Sequence, residues 1–375
     1  MIAIIADDFT GAAELAGISL RHGLTVELYL ATVTKTAADV LVVCTDSRSL
    51  NIDDAKKATA DAVENILQFN PEFIYKKIDS VLRGHVMEEV KLQMALCSMS
   101  KALLMPANPS LGRTISNGEY LIAGKKINET GFINDPEFPV RSALAKEMIG
   151  DKSVEVLKYT DALPVDGVVI GEAISNDDIK GWASVIDKTW MLVGAGDFYT
   201  AILEKTHQPK PQLKIEWRSP HLYICGTAFN ESRQFIKKIN EEQNCISYLP
   251  ETINEEWFEK TSRIIKEQHK VIIAIDDSTA SASSLRTAMA KAVKKIVARE
   301  NIKEIFIEGG STAAAVLEEL DIKKLTPLNE LSRGVVRMKA FSPLLEGLGE
   351  VDLFITVKPG SYQLPKEIIE LYSKL

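Results

Sequence analysis

An apolar run at the start of the chain stops abruptly at two adjacent carboxylates. Asp7 and Asp8 directly follow residues 2–6, which read Ile-Ala-Ile-Ile-Ala. The run predicts a buried strand, and open parallel α/β sheets bind their ligands at the carboxyl ends of strands. Thr10 and Gly11 then open a helix, whose first amide groups attract anions. These carboxylates could accept a proton or orient a cation, and a solvated surface turn is the alternative explanation.

A second polar strand end follows residues 73–78, which include Lys76 and Lys77. Residues 79–85 then read Asp-Ser-Val-Leu-Arg-Gly-His. If this strand neighbours the first, cations and hydrogen-bonding groups converge beside the first two carboxylates. The planar fork of Arg83 suits bidentate recognition of a carboxylate, which lysine cannot copy. A structural salt bridge between Arg83 and Asp79 is the alternative.

Glycine turns follow two predicted strands near the end of the chain. Residues 304–307 run into Glu-Gly-Gly-Ser-Thr at 308–312 and then into an alanine-rich helix, and residues 352–357 run into Lys358, Pro359 and Gly360. Paired glycines let the backbone approach a ligand closely, and the free amides at the helix start could bind an anion. A tight structural turn explains a lone Gly-Gly equally well.

Strands and helices alternate along the whole chain, which predicts an α/β fold with parallel sheets. The length of 375 residues favours two domains, and the proline-containing polar stretch 207–220 is the best linker. We therefore expect an N-terminal domain over 1–206 and a C-terminal domain over 221–375, each a mostly parallel sheet flanked by helices. Asn117-Gly118 predicts a hairpin through 120–127 that could form one wall of a substrate pocket.

Composition excludes several classes of protein. A net charge of -8 argues against a nucleic-acid-binding surface, and 46% hydrophobic content argues against disorder. The four cysteines and five histidines are scattered without metal-ligand spacing, which predicts reduced thiols in a cytoplasmic protein without a zinc or iron site. Neither secretion nor membrane insertion is expected. A homodimer is compatible with the sequence.

Taken in order, these stretches resemble the four-carbon acid sugar kinase family over essentially the whole chain. The resemblance rests on motifs at residues 7–12 (Asp-Asp-Phe-Thr-Gly-Ala), 76–77 (Lys-Lys), 79–84 (Asp-Ser-Val-Leu-Arg-Gly), 112–114 (Gly-Arg-Thr), 129–130 (Glu-Thr), 135–136 (Asp-Pro), 309–312 (Gly-Gly-Ser-Thr) and 358–360 (Lys-Pro-Gly). It implies a sugar-acid-binding N-terminal domain, an ATP-binding C-terminal domain and an active site in the cleft between them. The implied substrates are threonate, erythronate or a 3-oxo-tetronate, phosphorylated at the terminal hydroxyl.

The resemblance also implies site residues. Those for the sugar acid are Asp7, Asp8, Lys76, Lys77, Asp79, Ser80, Arg83 and Gly84, and those for the nucleotide are Thr227, Gly309, Gly310, Ser311, Thr312, Lys358 and Gly360. We expect Asp8 or Asp79 to accept the proton of the attacking hydroxyl, and Arg83 with Lys77 to bind the substrate carboxylate. Mg²⁺ would bridge the phosphates of ATP, but no motif identifies its protein ligands.

Two alternatives stay open at this point. Gly-Ala-Gly-Asp at 194–197 is similar to the anion-hole and base motif of ribokinase-like sugar kinases, with Asp197 as the base. The other alternative is a noncatalytic protein that binds a sugar acid and a nucleotide. It is suggested by Ser311, where the family commonly has an acid, and by Tyr362-Gln363, where it commonly has Phe-Gly.

Overall fold

The computed structural model describes residues 1–135, 137–211, 214–226, 230–275, 281–342, 352–360 and 362–373. The chain divides into two compact units, residues 1–210 and 211–375. Each unit contains a sheet flanked by helices, so the predicted α/β class is confirmed. Within the described ranges, no helix combines the length and apolarity that crossing a bilayer requires.

The first unit alternates strands and helices. Its strands are β1 (Ile2–Ala6), β2 (Val26–Tyr29), β3 (Val40–Cys44), β4 (Ile74–Lys77), β5 (Lys101–Met105), β6 (Arg113–Ser116), β7 (Glu119–Ile122), β8 (Lys125–Lys126), β9 (Glu155–Leu157), β10 (Gly167–Gly171) and β11 (Trp190–Gly194). Its helices are α1 (Phe9–Arg21), α2 (Ile52–Leu67), α3 (Val86–Leu96), α4 (Ala145–Met148), α5 (Asn176–Val185) and α6 (Gly196–Glu204). The main sheet has the order β2-β3-β1-β4-β11-β5-β10-β9, and neighbouring strands in it are parallel.

β1 lies near the middle of this sheet because all five of its residues are apolar and buried. It pairs with β3 on one side and with β4 on the other, and Ala6 lies opposite both Cys44 and Lys77. The three strands therefore end at the same edge. This register brings the loops that follow β1, β3 and β4 together, and these loops carry Asp7, Asp8, Arg48, Asp79 and Arg83.

A small separate sheet interrupts the alternation between β5 and β9. Strands β6, β7 and β8 are antiparallel, and Asn117 and Gly118 form the two-residue turn between β6 and β7. Both turn residues have positive φ, +50° and +75°, as this hairpin turn requires. The predicted hairpin is thus confirmed, although its first strand begins earlier than expected, at Arg113.

The second unit starts a new alternation. Its strands are β12 (His221–Cys225), β13 (Ile246–Tyr248), β14 (Lys270–Ala274), β15 (Glu304–Glu308), β16 (Lys324–Ser332), β17 (Val335–Phe341) and β18 (Phe354–Lys358). Its helices are α7 (Asn230–Gln243), α8 (Glu255–Gln268), α9 (Ala282–Glu300), α10 (Gly310–Glu319) and α11 (Lys366–Ser373). The strand order is β13-β14-β12-β15-β18-β17-β16.

The antiparallel pair β16–β17 was not predicted from the sequence. β17 runs antiparallel to both β16 and β18, whereas the other pairings of this unit are parallel. Pro327 and two register shifts interrupt the alternation of apolar residues along β16, which hides the strand pattern. The sheet is still mostly parallel.

Candidate active site

Opposite charges meet where β3, β1 and β4 end. We call this group the N-terminal cluster, and it consists of Asp7, Asp8, Arg48, Lys77, Asp79 and Arg83. Lys77 is the last residue of β4, and the other side chains come from the three loops that follow β1, β3 and β4. The expectation that the first two polar strand ends converge is therefore confirmed.

Arg48 joins the three loops and was not among the predicted site residues. Its Nε and Nη2 donate to the two oxygens of Asp7, each at 2.9 Å, and Nη2 also donates to Oδ1 of Asp8 at 2.7 Å. Its Nη1 lies 3.9 Å from Oδ1 of Asp79. Burial lowers the pKa of Arg48, but the three carboxylates outweigh burial and raise it. Like the predicted residues, Arg48 follows an apolar strand end, and that signal could have identified it.

Arg83 forms the salt bridge that the sequence offered as an alternative. Its Nε and Nη2 donate to the two oxygens of Asp79 at 2.7 and 3.1 Å, and its Nη1 donates to Asp135 at 3.1 Å. Burial alone would raise the pKa of Asp79, but the charges of Arg48 and Arg83 hold it well below its ordinary value. Both partners are thus already engaged in ion pairs within the protein.

The two opening carboxylates have different environments. Asp8 caps α1, because it accepts hydrogen bonds from the Gly11 amide at 3.1 Å and from the Thr10 hydroxyl. Burial raises the pKa of Asp7, whereas Arg48 and Lys77 offset burial at Asp8 and lower its pKa. A Cβ on Gly11 would lie 2.6 Å from Oδ1 of Asp8 and 2.9 Å from Nζ of Lys77, so a larger residue would displace the cluster.

Lys76 and Lys77 point to opposite faces of β4, as adjacent residues of a strand do. Lys77 belongs to the N-terminal cluster, with its Nζ 2.9 Å from the carbonyl of Ile78 and 3.7 Å from Glu14. Lys76 is fully buried and pairs with Glu89, which also accepts a hydrogen bond from Ser47 at 2.7 Å. The structure therefore does not bring Lys76 to the cluster, and its charge is used to hold α3 and the loop after β3.

Ser80 and Gly84 complete the loop after β4. Ser80 accepts a hydrogen bond from Nη1 of Arg113, which starts the small sheet. Gly84 has φ +87°, and a Cβ there would lie 3.1 Å from Cγ of Arg48. Glycine is required at this position both for the backbone conformation and for the close approach of Arg48.

The carboxylate of Asp197 is hydrogen-bonded within the protein, to Ser110. Its two carboxylate oxygens accept hydrogen bonds from the amide and the hydroxyl of Ser110, at 2.9 and 2.7 Å, and its own amide donates to Asn108. Asp197 therefore links the start of α6 to the loop after β5. The N-cap of α6 is Ala195, so Asp197 does not occupy the capping position. The contact of its carboxylate with Ser110 disfavours a role as the ribokinase-like base.

In the second unit, Glu308 and Lys358 end adjacent parallel strands and lie opposite each other in the register. Their carboxylate and ammonium groups are 2.7 Å apart, and both side chains are fully buried. Glu308 also accepts hydrogen bonds from Tyr223 at 2.5 Å and from Ser232. We call Tyr223, Ser232, Glu308 and Lys358 the C-terminal cluster.

Lys358 holds the turn that follows it. Its Nζ donates to the carbonyls of Pro359, Gly360 and Tyr362 at 3.0, 3.2 and 2.5 Å. The ammonium group is thus enclosed by a carboxylate and backbone oxygens rather than directed to solvent. It fixes the backbone of the predicted nucleotide-binding turn.

The other predicted nucleotide residues lie at the start of α10. Gly309 has φ +106° and precedes the first turn of α10, which contains Gly310, Ser311 and Thr312. Ser311 is exposed, whereas Thr312 is buried against Gly226. A Cβ added to Gly226 would lie only 2.0 Å from Oγ1 of Thr312. Thr227 lies outside the described residues.

Comparison with known sequences identifies both halves of the chain. A family model described as "Sugar-binding N-terminal domain" matches residues 2–202, and one described as "Nucleotide-binding C-terminal domain" matches residues 228–362. The chain belongs to the four-carbon acid sugar kinase family. The N-terminal cluster falls within the first match, and the turn at the start of α10 falls within the second.

Curated relatives in the family are sugar-acid kinases. The D-threonate kinase of Salmonella typhimurium is 28% identical over 253 residues, which cover 62% of this chain and 59% of that protein. The D-threonate kinase of Bordetella bronchiseptica is 22% identical over 367 residues, 89% of this chain and 88% of that protein. Others are named D-erythronate kinase and 3-oxo-tetronate kinase.

A solved structure shows the same fold. A Haemophilus influenzae protein of the family superposes with a TM-score of 0.78 at 18% identity, and the alignment covers 99% of this chain and 98% of that one. The two-part α/β architecture is thus shared at low sequence identity.

Proposed function

We propose that this protein is an ATP-dependent kinase that phosphorylates the terminal hydroxyl of a four-carbon sugar acid, such as threonate, erythronate or a 3-oxo-tetronate. The observation that supports this most is that a sugar-binding and a nucleotide-binding domain occur in one chain, whose curated relatives are kinases for these acids. The interdomain location of the active site, the cytoplasmic location and a homodimer stay predictions.

In this proposal the N-terminal cluster binds the sugar acid, with Asp7, Asp8, Lys77, Asp79, Ser80, Arg83 and Gly84 around it. Phosphoryl transfer depends mainly on positioning and on neutralising negative charge. The fixed carboxylates can position the hydroxyl groups of the substrate, and the cationic groups of the cluster can neutralise negative charge. The turn of Gly309, Gly310, Ser311 and Thr312, with Gly360 and Thr227, would bind ATP through backbone amides at the start of α10. Lys358 would act by shaping the adjacent turn.

We assign the proton acceptor to Asp8 rather than to Asp79. Both oxygens of Asp79 accept hydrogen bonds from the guanidinium group of Arg83, and its side chain is 8% exposed. Within the described residues, only one oxygen of Asp8 accepts from a guanidinium group, and the other accepts from the Thr10 hydroxyl. The side chain of Asp8 is 17% exposed, the largest value among the three acids of the cluster. The lowered pKa of Asp8 keeps it ionised at neutral pH, so it can align the hydroxyl and take its proton as the bond to phosphorus forms.

The described residues do not fit a magnesium site made by the protein alone. Within them, no group of three or more His, Cys, Asp or Glu side chains could hold a metal ion. The carboxylates of Asp7, Asp8 and Asp79 face Arg48 and Arg83 instead. We therefore expect Mg²⁺ to arrive with ATP, because it binds readily through phosphate oxygens and water.

The test is ADP production from ATP and Mg²⁺ with stereoisomers of four-carbon aldonic acids and their 3-oxo forms, with pentonates and neutral sugars as controls. We expect one four-carbon acid to give strong turnover and the controls to give none. ATP binding without turnover on any acid of the panel would contradict the kinase proposal and favour a noncatalytic binding protein.

A further inference from the structure

The small sheet β6–β8 places an arginine and a tyrosine on one face. Ile115 of β6 lies opposite Tyr120 of β7, and Arg113 is two residues from Ile115 on the same strand. Residues two apart on a strand share a face, and diagonal neighbours across an antiparallel pair lie within reach of long side chains. Arg113 and Tyr120 therefore belong to the same face of the hairpin.

This face adjoins the N-terminal cluster. Nη1 of Arg113 donates to the hydroxyl of Ser80, the residue directly after Asp79. The other two arginines of this region are already paired, Arg48 with Asp7 and Asp8, and Arg83 with Asp79 and Asp135. In the part of the chain that the structure describes, Arg113 has no carboxylate partner within 4 Å. It is a guanidinium group at the site whose charge is not compensated by an ion pair.

Tyr120 is fully buried, and its hydroxyl has no hydrogen-bond partner among the described residues. A buried hydroxyl without a partner costs free energy, so its persistence requires an explanation. Burial raises the pKa of Tyr120, and the nearby charge of Arg113 only partly offsets this. The hydroxyl therefore keeps its proton and can act as a donor.

We propose that Arg113 binds the carboxylate of the sugar acid and that Tyr120 donates a hydrogen bond to the same end of the substrate. This inference rests on the proposed function and names the group that distinguishes an acid from a neutral sugar. A planar guanidinium matches a carboxylate, and Arg113 can offer it without giving up an existing ion pair. Arg83, the residue first expected in this role, would have to release Asp79.

The test is calorimetric binding of threonate and erythronate, and of their amides, in the absence of nucleotide. Arg113→Gln should weaken binding of the preferred acid about 10- to 100-fold and leave binding of the uncharged amide unchanged, because only the charged hydrogen bonds are lost. Tyr120→Phe should weaken acid binding about 3- to 10-fold without lowering the melting temperature, because the tyrosine hydroxyl makes no hydrogen bond to the described residues. Arg141→Gln is the matched control, since Arg141 is exposed on the following segment.

The outcomes separate this inference from the kinase proposal. Acid binding that is equally tight in wild type and Arg113→Gln would overturn the role of Arg113, whatever the turnover. Acid binding that depends on Arg113 without any ADP production would support the inference and contradict the kinase proposal. If the wild type binds no four-carbon acid, both are wrong.

Discussion

The two charged clusters of this protein are built from similar groups at similar positions, yet they differ in exposure. In the N-terminal cluster, the side chains of Arg48, Asp8 and Arg83 are 15%, 17% and 29% exposed, and Arg48 shares its donors among three carboxylates. In the C-terminal cluster, Glu308 and Lys358 are both fully buried. In the N-terminal cluster, a ligand group could therefore replace one of the ion-pair partners at the surface. In the C-terminal cluster, the same replacement would require the buried core around Glu308 and Lys358 to open.

This difference in exposure supports the proposal that the N-terminal cluster binds a ligand, and it indicates that the C-terminal cluster holds the protein structure. A buried ion pair is weak evidence for net stabilisation, but removing one partner is strongly destabilising because the other charge is left uncompensated. Lys358 also holds three backbone carbonyls, so its pair defines the shape of a turn. Accordingly, changes in the N-terminal cluster should affect turnover more than folding, and changes in the C-terminal cluster should do the reverse.

The largest expected effect is on turnover in the N-terminal cluster. Asp8→Asn should lower kcat by about 10²- to 10⁴-fold because the proton acceptor is lost, while the protein stays folded. Steady-state ADP production measures the change, and Asp166→Asn, an exposed acid of the same unit, is the control. Near-normal kcat for Asp8→Asn would show that the assignment of the acceptor is wrong.

The next effect is on stability in the C-terminal cluster. Lys358→Met should lower the unfolding free energy of the second unit by about 3–5 kcal/mol, because Glu308 stays buried without its partner. Hydrogen exchange of β15 and β18 in urea resolves this unit from the first. Lys126→Met, which breaks the exposed pair with Glu119, should cost about 0.2–1 kcal/mol. A similar loss of unfolding free energy in both variants would contradict the distinction between the buried and the exposed ion pair.

Acid should weaken the second unit through His221. Burial lowers the pKa of His221 from 6.5 to about 4, with a further contribution from Lys270 and Arg337. The unfolded chain binds the proton of His221 more tightly than the folded chain does. The neutral form of His221 therefore contributes fully to the unfolding free energy above pH 6.5, and this contribution is lost as the pH falls to about 4. The loss amounts to about 3 kcal/mol.

Urea unfolding of wild type and His221→Asn across this pH range measures the contribution. The variant should lose less stability than the wild type between pH 6.5 and 4, and His269→Asn, at an exposed histidine, should follow the wild type. Parallel curves for wild type and His221→Asn would contradict the prediction.

The smallest expected effect concerns the turn before α10. Gly226→Ala would place a Cβ 2.0 Å from Oγ1 of Thr312. The resulting overpacking should cost about 1–3 kcal/mol and weaken ATP binding. Gly131→Ala, whose Cβ would meet nothing within 4 Å, is the matched control in thermal unfolding and ATP titration. If both variants matched the wild type, the close packing of Gly226 on α10 would not constrain the turn.

The sequence predicted the alternating strands well, because each buried strand is a short apolar run that ends at polar residues. It could not separate Lys76 from Lys77, since the direction of each side chain depends on which face of β4 meets α3. Arg48 and Lys358 show the same limit. The first was overlooked and the second was assigned to the ligand, because a sequence does not show which charges are already paired within the protein.

The small sheet β6–β8 is hydrogen-bonded within itself and is not part of the main sheet of its unit. A substitution at Arg113 or Tyr120 therefore leaves the register of β3, β1 and β4 unchanged, and with it the Asp7–Arg48–Asp79 contacts. The insertion can consequently recognise the acid end of the substrate while the reaction chemistry stays fixed on the scaffold.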